Sequence, residues 1–259
     1  MSQPGTAASP LRVAVVGSGP AGFYTAEHLF KRKDLAVTVD MFERLPMPFG
    51  LVRFGVAPDH QKIKASARAF ERTASRPGFR LYGNVDFGTD ISLDDLRQHY
   101  HFICFATGAQ TDRSLGIPGE GLVGSHPATA FVAWYNGHPD FRNYQVDLSA
   151  ERVAVVGVGN VAVDVARIFA RTPEELAETD IADYALEALR QSRVREIYVL
   201  GRRGPAQAAF TNAELKELGQ LDGADLVISD GDAKLDPLSR RQLEESNDRT
   251  TQRKVDLIR

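Results

Sequence analysis

An internal repeat constrains the fold of this chain more than any other feature of its sequence. Residues 12–22 read RVAVVGSGPAG and residues 152–162 read RVAVVGVGNVA, and seven of these eleven positions are identical. Each copy is a short, largely β-branched run that breaks into Gly-x-Gly and continues into a stretch compatible with a helix. Two copies at so long a period argue against a solenoid. They favour two βαβ units in tandem, each with a glycine-rich turn after its first strand.

The rest of the chain alternates between apolar runs and helical patterns. The predicted fold class is therefore α/β, with two Rossmann-like dinucleotide-binding βαβ domains. The stretch 46–60 is rich in Pro and Gly and predicts an extended loop. Strands are predicted at 12–16, 37–43, 79–85, 101–106, 152–156 and 195–200, and helices at 20–32, 61–75, 128–135, 160–171 and 173–191.

Composition excludes several classes of protein. With 31 basic and 34 acidic side chains the net charge is −3, so no overall basic field exists to bind nucleic acid. Cys104 is the only cysteine, which excludes a disulfide scaffold, a four-thiolate iron–sulfur cluster and a redox dithiol within the chain. His99 and His101 have no third ligand in sight, so no metal site is predicted. No signal peptide and no apolar window of about 20 residues is present, so we expect a cytoplasmic protein without membrane insertion.

The first glycine motif has the spacing of a dinucleotide site. In such a turn Gly17 permits the tight bend, Gly19 lets a pyrophosphate approach the backbone, and Gly22 allows close helix–strand contact. Glu43 follows Gly22 by 21 residues at the end of the next predicted strand, where a carboxylate accepts hydrogen bonds from ribose hydroxyls. The alternative is that Glu43 is only a solvated strand end.

The second motif consists of Gly157, Gly159, Asn160, Val161 and Ala162. After the next predicted strand, the chain carries Arg202 and Arg203 where a carboxylate would suit a free 2′-hydroxyl. Two guanidinium groups suit a 2′-phosphate, so the motif points to NADP(H) rather than NAD(H). Arg202 lies 40 residues after Ala162, and the helical stretch 173–191 accounts for the long spacing. The alternative is an exposed basic turn. Two such sites in one chain favour hydride transfer from a nicotinamide to a flavin.

Several other runs are more specific than the glycine turns. They are PMPFGLVRFGVAPDHQKIK at 46–64, Gly108-Ala109-Gln110, Trp134-Tyr135-Asn136, Gly159-Asn160-Val161-Ala162, Asp164-Val165-Ala166-Arg167 and Gly201-Arg202-Arg203-Gly204-Pro205. With these runs the chain resembles the adrenodoxin-reductase-like ferredoxin–NADP reductases, FAD-dependent enzymes, and is most similar to the mycobacterial-type bacterial members. The resemblance covers nearly all of residues 11–230.

The resemblance implies a role for particular residues. Assisting roles near the flavin and the nicotinamide fall to His60 and Asp164; the alternatives are an N-cap or loop contact for His60 and a solvated or locally paired carboxylate for Asp164. The implied FAD site comprises Gly17, Gly19, Ala21, Gly22, Glu43, Leu51 and Val85. The implied NADP site comprises Gly157, Gly159, Asn160, Val161 and Ala162 at the pyrophosphate, with Arg202, Arg203 and Glu214 at the 2′-phosphoribose.

The same resemblance sets the expected organisation. Family members continue beyond residue 259 and return to the FAD domain, so the chain is expected to lack their C-terminal part. The predicted domains are a disordered N-terminus at 1–10, the N-terminal part of an FAD-binding domain at 11–110, a crossover at 111–150, an incomplete NADP-binding domain at 151–231, and a polar, possibly helical tail without a core of its own at 232–259.

Two functions from different classes remain open at this point. The first is an FAD-dependent NADPH:ferredoxin oxidoreductase that passes a hydride to FAD and single electrons to a small iron–sulfur protein. The alternative is a non-catalytic nucleotide-binding fragment of such a reductase that cannot retain FAD. An electron-entry subunit of a larger flavoprotein is disfavoured, because no cysteine cluster precedes residue 12. Basic pairs at 240–241 and 253–254 are weak candidates for docking an acidic ferredoxin.

Overall fold

A computed structural model describes residues 3–109 and 111–259 of the chain. Gln110 of the motif at 108–110 and the first two residues lie outside this description. The described chain divides into two compact units. The first comprises the residues up to Val56, His60–Leu115 and Asn136–Arg142; the second comprises Ala57–Asp59, Gly116–Tyr135 and Asn143–Arg259.

The first unit is built on a four-stranded parallel sheet. Its elements are β1 (Leu11–Val16), α1 (Pro20–Lys31), β2 (Val37–Glu43), α2 (Leu51–Phe54), α3 (Gln61–Lys64), α4 (Ala67–Ala74), β3 (Phe79–Gly83), α5 (Leu93–His99) and β4 (Phe102–Phe105). The strand order is β3-β2-β1-β4, and every pairing is parallel. This arrangement confirms the predicted α/β class.

Strand β1 is apolar on both faces, as a central strand of a parallel sheet covered on both sides requires. Side chains alternate along β1, so Val13 and Val15 pack with Phe23 of α1 on one face. On the other face, Val16 packs with Leu96 of α5. The carboxyl ends of β1 and β2 meet at one edge of this sheet, with Val16 opposite Phe42.

Four parts of the first unit differ from the sequence prediction. The helix expected at 61–75 is two short helices, α3 and α4, and the loop expected at 46–60 contains the one-turn helix α2. Helix α5 was not predicted, although the Ser92 and Asp95 side chains form a capping box at its start. Part of the N-terminus expected to be disordered is held in place, because the backbone of Ala36 donates a 2.8 Å hydrogen bond to Gly5.

The second unit combines a two-stranded parallel sheet with seven helices among its described residues. Its elements are α6 (Ala128–Tyr135), β5 (Arg152–Val156), α7 (Asn160–Ala170), α8 (Pro173–Ala177), α9 (Asp183–Arg190), β6 (Glu196–Leu200), α10 (Asn212–Leu218), α11 (Pro237–Ser246) and α12 (Arg249–Ile258). The helix predicted at 173–191 is two helices, α8 and α9, and α10 was not predicted. Strand β5 pairs with β6 in parallel, with Val155 opposite Val199.

The polar stretch 232–259 is ordered as helices α11 and α12, and it contributes to the core of the second unit. Leu243 and Val255 form a buried cluster with Leu235, and Ile258 joins a second cluster around Phe210. The polar composition predicts no core of its own for this stretch, yet a few apolar residues at helical spacing pack together within it. Across the described residues, no helix has both the length and the apolar character needed to cross a bilayer.

Candidate dinucleotide sites

The first glycine turn is shaped by two close backbone approaches. Gly17 has φ of +104° and donates its N–H to the carbonyl of Phe42 at 2.8 Å. A Cβ at this position would collide with the backbone of Ala106, and a Cβ on Gly22 would collide with the carbonyl of Gly17. Both positions therefore require glycine, as the dinucleotide motif predicts.

The turn leads directly into α1, whose first turn is suited to an anion. Gly19 is the N-cap, Pro20 follows at the first helical position, and in the described chain no side chain caps this end. The first turn also carries no acidic residue. Unclaimed N–H groups and the positive end of the helix dipole therefore remain available to a phosphate.

Glu43 lies beside this turn with its carboxylate fixed in place. One oxygen accepts hydrogen bonds from the backbone and the hydroxyl of Ser18 at 3.0 and 2.6 Å, and the other accepts from the backbone of Leu45 at 3.0 Å. Glu43 is half-buried, and the oxygen that accepts from Leu45 keeps a lone pair for a further donor. A ribose hydroxyl beside the turn is a donor of the right kind.

The other predicted residues of the first site lie around the same edge of the sheet. The N–H of Val85 donates to the carbonyl of Glu43 at 3.0 Å, while the Val85 side chain faces the apolar cluster around Leu96. Leu51 is exposed at the start of α2, directly after Gly50. A Cβ on Gly50 would press against Gly19, and Ala21 is exposed on the first turn of α1. The structure thus brings all seven predicted residues to one edge of the first unit.

The second glycine turn connects β5 to α7. Gly157 donates to the carbonyl of Leu200 at 2.9 Å, and Gly159 is the N-cap of α7 without a side-chain cap among the described residues. A Cβ on Gly159 would meet nothing within 4 Å, so the turn is open to solvent on that side. Val161 is exposed on the first helical turn. The open backbone and the helix end again suit a phosphate.

Residues 201–211 follow β6 and will be called the arginine loop. The backbone N–H groups of Ala209 and Phe210 donate to the carbonyl of Val158 at 2.8 and 3.0 Å, which ties the loop to the second glycine turn. Arg202 and Arg203 are exposed in this loop, and neither forms an ion pair with any carboxylate in the part of the chain that the structure describes. Their guanidinium groups are therefore available to an anion.

Arg167 lies at the centre of a buried charge cluster in the second unit. Its side chain is 0% exposed. The guanidinium donates to Asp59 at 2.5 and 3.1 Å, to Asp164 at 2.8 Å and to Glu214 at 3.1 Å. Arg171 adds a second cation by donating to Asp59 at 2.9 Å. We call Asp59, Asp164, Arg167, Arg171 and Glu214 the Arg167 cluster.

The cluster determines the ionisation of the groups around it. Burial acts to lower the pKa of Arg167, but the hydrogen bond and charge of Asp59 and the charge of Asp164 outweigh burial and raise it. Tyr135 is 0% exposed, and its hydroxyl has no hydrogen-bond partner in the described structure. Burial first, and then the nearby charges of Asp164 and Asp59, raise the pKa of Tyr135. The phenol is thus held in its neutral form.

Of the three remaining predicted residues, one belongs to the first unit and two belong to the second. His60 is the half-buried N-cap residue of α3 in the first unit, and its side chain makes no cap hydrogen bond. Asp164 and Glu214 are buried in the second unit and paired with Arg167. The locally paired alternative for Asp164 therefore describes its surroundings. Roles at the nicotinamide or the phosphoribose remain predictions for all three.

Sequence reasoning missed the central residue of this cluster. Arg167 was noticed only as part of a motif, although its position three residues after Asp164 places both on one face of α7. Asp59 and Glu214 lie 108 and 47 residues from Arg167 in sequence, and no local pattern links them to it. The contact of Ser18 with Glu43 is also absent from the sequence prediction, because Ser18 occupies the variable position between Gly17 and Gly19.

Comparison with known proteins places the chain among nucleotide-dependent oxidoreductases. The family model described as pyridine nucleotide-disulphide oxidoreductase matches residues 11–198. The NADPH-ferredoxin reductase FprA of Mycobacterium tuberculosis is 53% identical over 223 residues, which cover 85% of this chain and 49% of the relative. The mitochondrial NADPH:adrenodoxin oxidoreductase of Arabidopsis thaliana is 48% identical over 241 residues, 93% of this chain and 50% of the relative.

The fold is also similar to a solved structure. FprA of M. tuberculosis in complex with NADPH superposes with a TM-score of 0.87 at 47% identity, covering 96% of this chain and 55% of that one. The chain spans about half the length of the curated relatives it matches. These relatives confirm the predicted resemblance to the adrenodoxin-reductase-like ferredoxin–NADP reductases. Since the family model matches well over half of its residues, the chain belongs to the pyridine nucleotide-disulphide oxidoreductase family.

Proposed function

We propose that the chain forms the two dinucleotide-binding units of an FAD-dependent NADPH:ferredoxin oxidoreductase. One observation carries the proposal: two glycine turns of the same kind are followed by opposite charges. Glu43 follows the first turn at the end of β2, and Arg202 and Arg203 follow the second after β6. A carboxylate selects free ribose hydroxyls and a guanidinium pair selects a 2′-phosphate. The two units therefore suit FAD and NADPH respectively.

In the first unit, the chain's own groups bind and orient the dinucleotide. The uncapped first turn of α1 offers N–H groups to the pyrophosphate. Because Gly17 and Gly22 have no side chain, the turn can pack closely enough against its neighbours to present these groups. Ser18 holds the carboxylate of Glu43 beside the turn. This carboxylate is therefore already placed to accept a hydrogen bond from a ribose hydroxyl. A fixed acceptor loses little conformational entropy on binding.

In the second unit, Gly159 leaves the start of α7 open to a pyrophosphate, and the arginine loop supplies the 2′-phosphate contacts. Guanidinium groups bind a 2′-phosphate through paired, charge-assisted hydrogen bonds, which the free 2′-hydroxyl of NADH cannot form. When bound, the two dinucleotides supply hydride transfer from nicotinamide to flavin, and alignment and electrostatics are the protein's part. His60 and Asp164 are proposed as assisting residues, with Arg167 fixing the carboxylate of Asp164.

The proposed electron acceptor is a ferredoxin-type iron–sulfur protein. The support is the name of the M. tuberculosis relative, an NADPH-ferredoxin reductase. The cytoplasmic location stays a prediction from the sequence, since the A. thaliana relative is mitochondrial.

The alternative is a nucleotide-binding fragment of such a reductase that cannot retain FAD. The visible absorption spectrum of the purified chain, before and after anaerobic NADPH, distinguishes the two. A bound-flavin spectrum that bleaches with NADPH supports the reductase. A chain that stays colourless after addition of FAD supports the fragment.

The coenzyme assignment has its own test. Replacing Arg202 and Arg203 together by Ala should weaken NADP⁺ binding by about 30- to 150-fold, because about 2–3 kcal/mol of charge-assisted hydrogen bonding is lost. NAD⁺ binding, measured by the same calorimetric titration, should hardly change. The matched control replaces Arg240 and Arg241, an exposed pair on α11, by Ala. Equal losses for both coenzymes, or the same loss in the control, would overturn the 2′-phosphate assignment.

A further inference from the structure

The arginine loop is tied to the second glycine turn on one side. Besides the two bonds to Val158, the N–H of Thr211 donates to the Oδ1 of Asn160 at 2.9 Å. At the start of the loop, Gly201 lies so close to Val158 that a Cβ would approach its side chain to 2.8 Å. The distance between the phosphate-binding turn and the arginine pair thus depends on how the loop is held.

The other side of the loop is held by α12 through a buried lysine. The Nζ of Lys254 donates to the carbonyl of Ala208 at 2.5 Å and lies 5.8 Å from the centroid of the Phe210 ring. Lys254 is only 9% exposed. A buried ammonium is ordinarily paired with a carboxylate, yet Lys254 forms no ion pair with any described residue. Its lost hydration is therefore compensated by the backbone and ring of the arginine loop, together with the nearby charge of Asp248.

Two further contacts from the same helices support the loop. The side chain of Gln207 donates to the hydroxyl of Ser239 on α11 at 2.8 Å, and Ser239 is itself buried. Ile258 of α12 packs in one apolar cluster with Ala208 and Phe210. The stretch 232–259, which the sequence presents as a solvated tail, is thus the support of residues 205–210, directly after the arginine pair.

We propose that Lys254 is a positioning residue that sets the preference for a 2′-phosphorylated nucleotide. It has no need to touch the ligand. By fixing the carbonyl of Ala208, Lys254 holds the segment 205–210, which begins two residues after Arg203. It thereby limits the positions that the guanidinium groups of Arg202 and Arg203 can take. A loop ordered before binding loses less conformational entropy when it closes on the phosphate. This inference rests on the proposed 2′-phosphate site and extends it to residues far away in sequence.

The test uses the complete chain and two probes that need no bound flavin, 2′,5′-ADP and 5′-AMP, in calorimetric titrations. Lys254→Met keeps the length of the side chain and removes the bond to Ala208. It should weaken 2′,5′-ADP binding by about tenfold, while 5′-AMP binding is unchanged. Arg253→Met is the matched control, because Arg253 is exposed on the same helix and carries the same charge. It should leave both affinities as they are.

The outcomes separate this inference from the proposed function. Unchanged affinity for 2′,5′-ADP in a folded Lys254→Met variant overturns the positioning role of Lys254, provided that the Arg202→Ala, Arg203→Ala variant binds 2′,5′-ADP more weakly than the unmodified chain. If that double variant also retains its preference for 2′,5′-ADP, the 2′-phosphate site itself is wrong. Should Lys254→Met not fold, Gln207→Met removes the bond to Ser239 and leaves the bond between Ser239 and Asp236 in place; it should reduce 2′,5′-ADP affinity about threefold. No reduction in that variant would equally overturn the inference.

Discussion

Replacing Arg167 by Met should be among the most damaging single changes in the second unit. Arg167 is wholly buried, and its guanidinium pairs with the buried carboxylates of Asp164 and Glu214 at 2.8 and 3.1 Å. Asp59 keeps its contact with Arg171. The substitution therefore leaves two buried carboxylates without their guanidinium, while Met fills much of the volume of the arginine stem.

The magnitude follows from the cost of an uncompensated buried charge. Breaking a buried ion pair by removing one partner costs about 3–5 kcal/mol, more than the loss of the pair's own attraction, because the remaining charge stays desolvated. Folded domains are stable by only about 5–15 kcal/mol, so the variant should fold but with much of its stability lost. A loss of this size corresponds to a fall in Tm of roughly 10 °C.

Urea unfolding at neutral pH, followed by circular dichroism, measures the loss. Arg152→Met is the matched control, because Arg152 pairs with Glu196 at 3.1 Å on an exposed strand face, where ion pairs contribute little. The deficit of Arg167→Met should shrink as the pH falls toward about 5, since an unpaired buried carboxylate is relieved by taking up a proton. A deficit below about 1 kcal/mol, or one that grows in acid, would refute the reasoning.

Two further predictions concern other buried polar groups. Tyr135→Phe should leave the free energy of unfolding unchanged or raise it by about 1 kcal/mol in urea titrations, because the hydroxyl that it removes is buried without a partner; a loss above about 1 kcal/mol would show that the hydroxyl is satisfied. Burial, opposed by the charge of Asp140, lowers the pKa of His138 below its usual 6.5. The unfolded chain therefore binds a proton there before the folded one does, and stability should fall as the pH decreases through 6.5. His138→Phe should flatten that part of the stability curve, and an NMR titration midpoint above 6.5 for His138 would contradict the prediction.

The features that sequence reasoning predicted well are those encoded locally. The requirement for glycine at Gly22 follows from a strand, a turn and a helix that are contiguous in the chain, because a Cβ there would collide with the carbonyl of Gly17. The position of Glu43 follows from the parallel register, because β1 and β2 end side by side. Such features depend on residues within about thirty positions of one another, where spacing alone determines which atoms meet.

The features that were missed depend on charged residues that become buried through distant contacts. Asp59, Asp164 and Glu214 come from three separate segments, and each alone has the pattern of a solvated carboxylate. Lys254 was considered part of a basic surface pair, yet its ammonium is buried against the arginine loop. Hydrophobic periodicity treats every charged side chain as exposed, so it cannot distinguish these residues from solvated ones.

The burial of so many charges in the second unit is itself informative about α7. A buried ion cluster is often no more stabilising than apolar residues of similar volume, so stability alone does not explain its presence. In α7 the same helix begins at the second glycine turn and carries Asp164 one turn later, with Arg167 three residues further along. The guanidinium fixes the direction of the Asp164 carboxylate relative to the helix end that is proposed to hold the pyrophosphate. An apolar substitute would fill the space but lose the 2.8 Å hydrogen bond that orients this carboxylate, so the physical advantage of Arg167 lies in orientation near the proposed nicotinamide site.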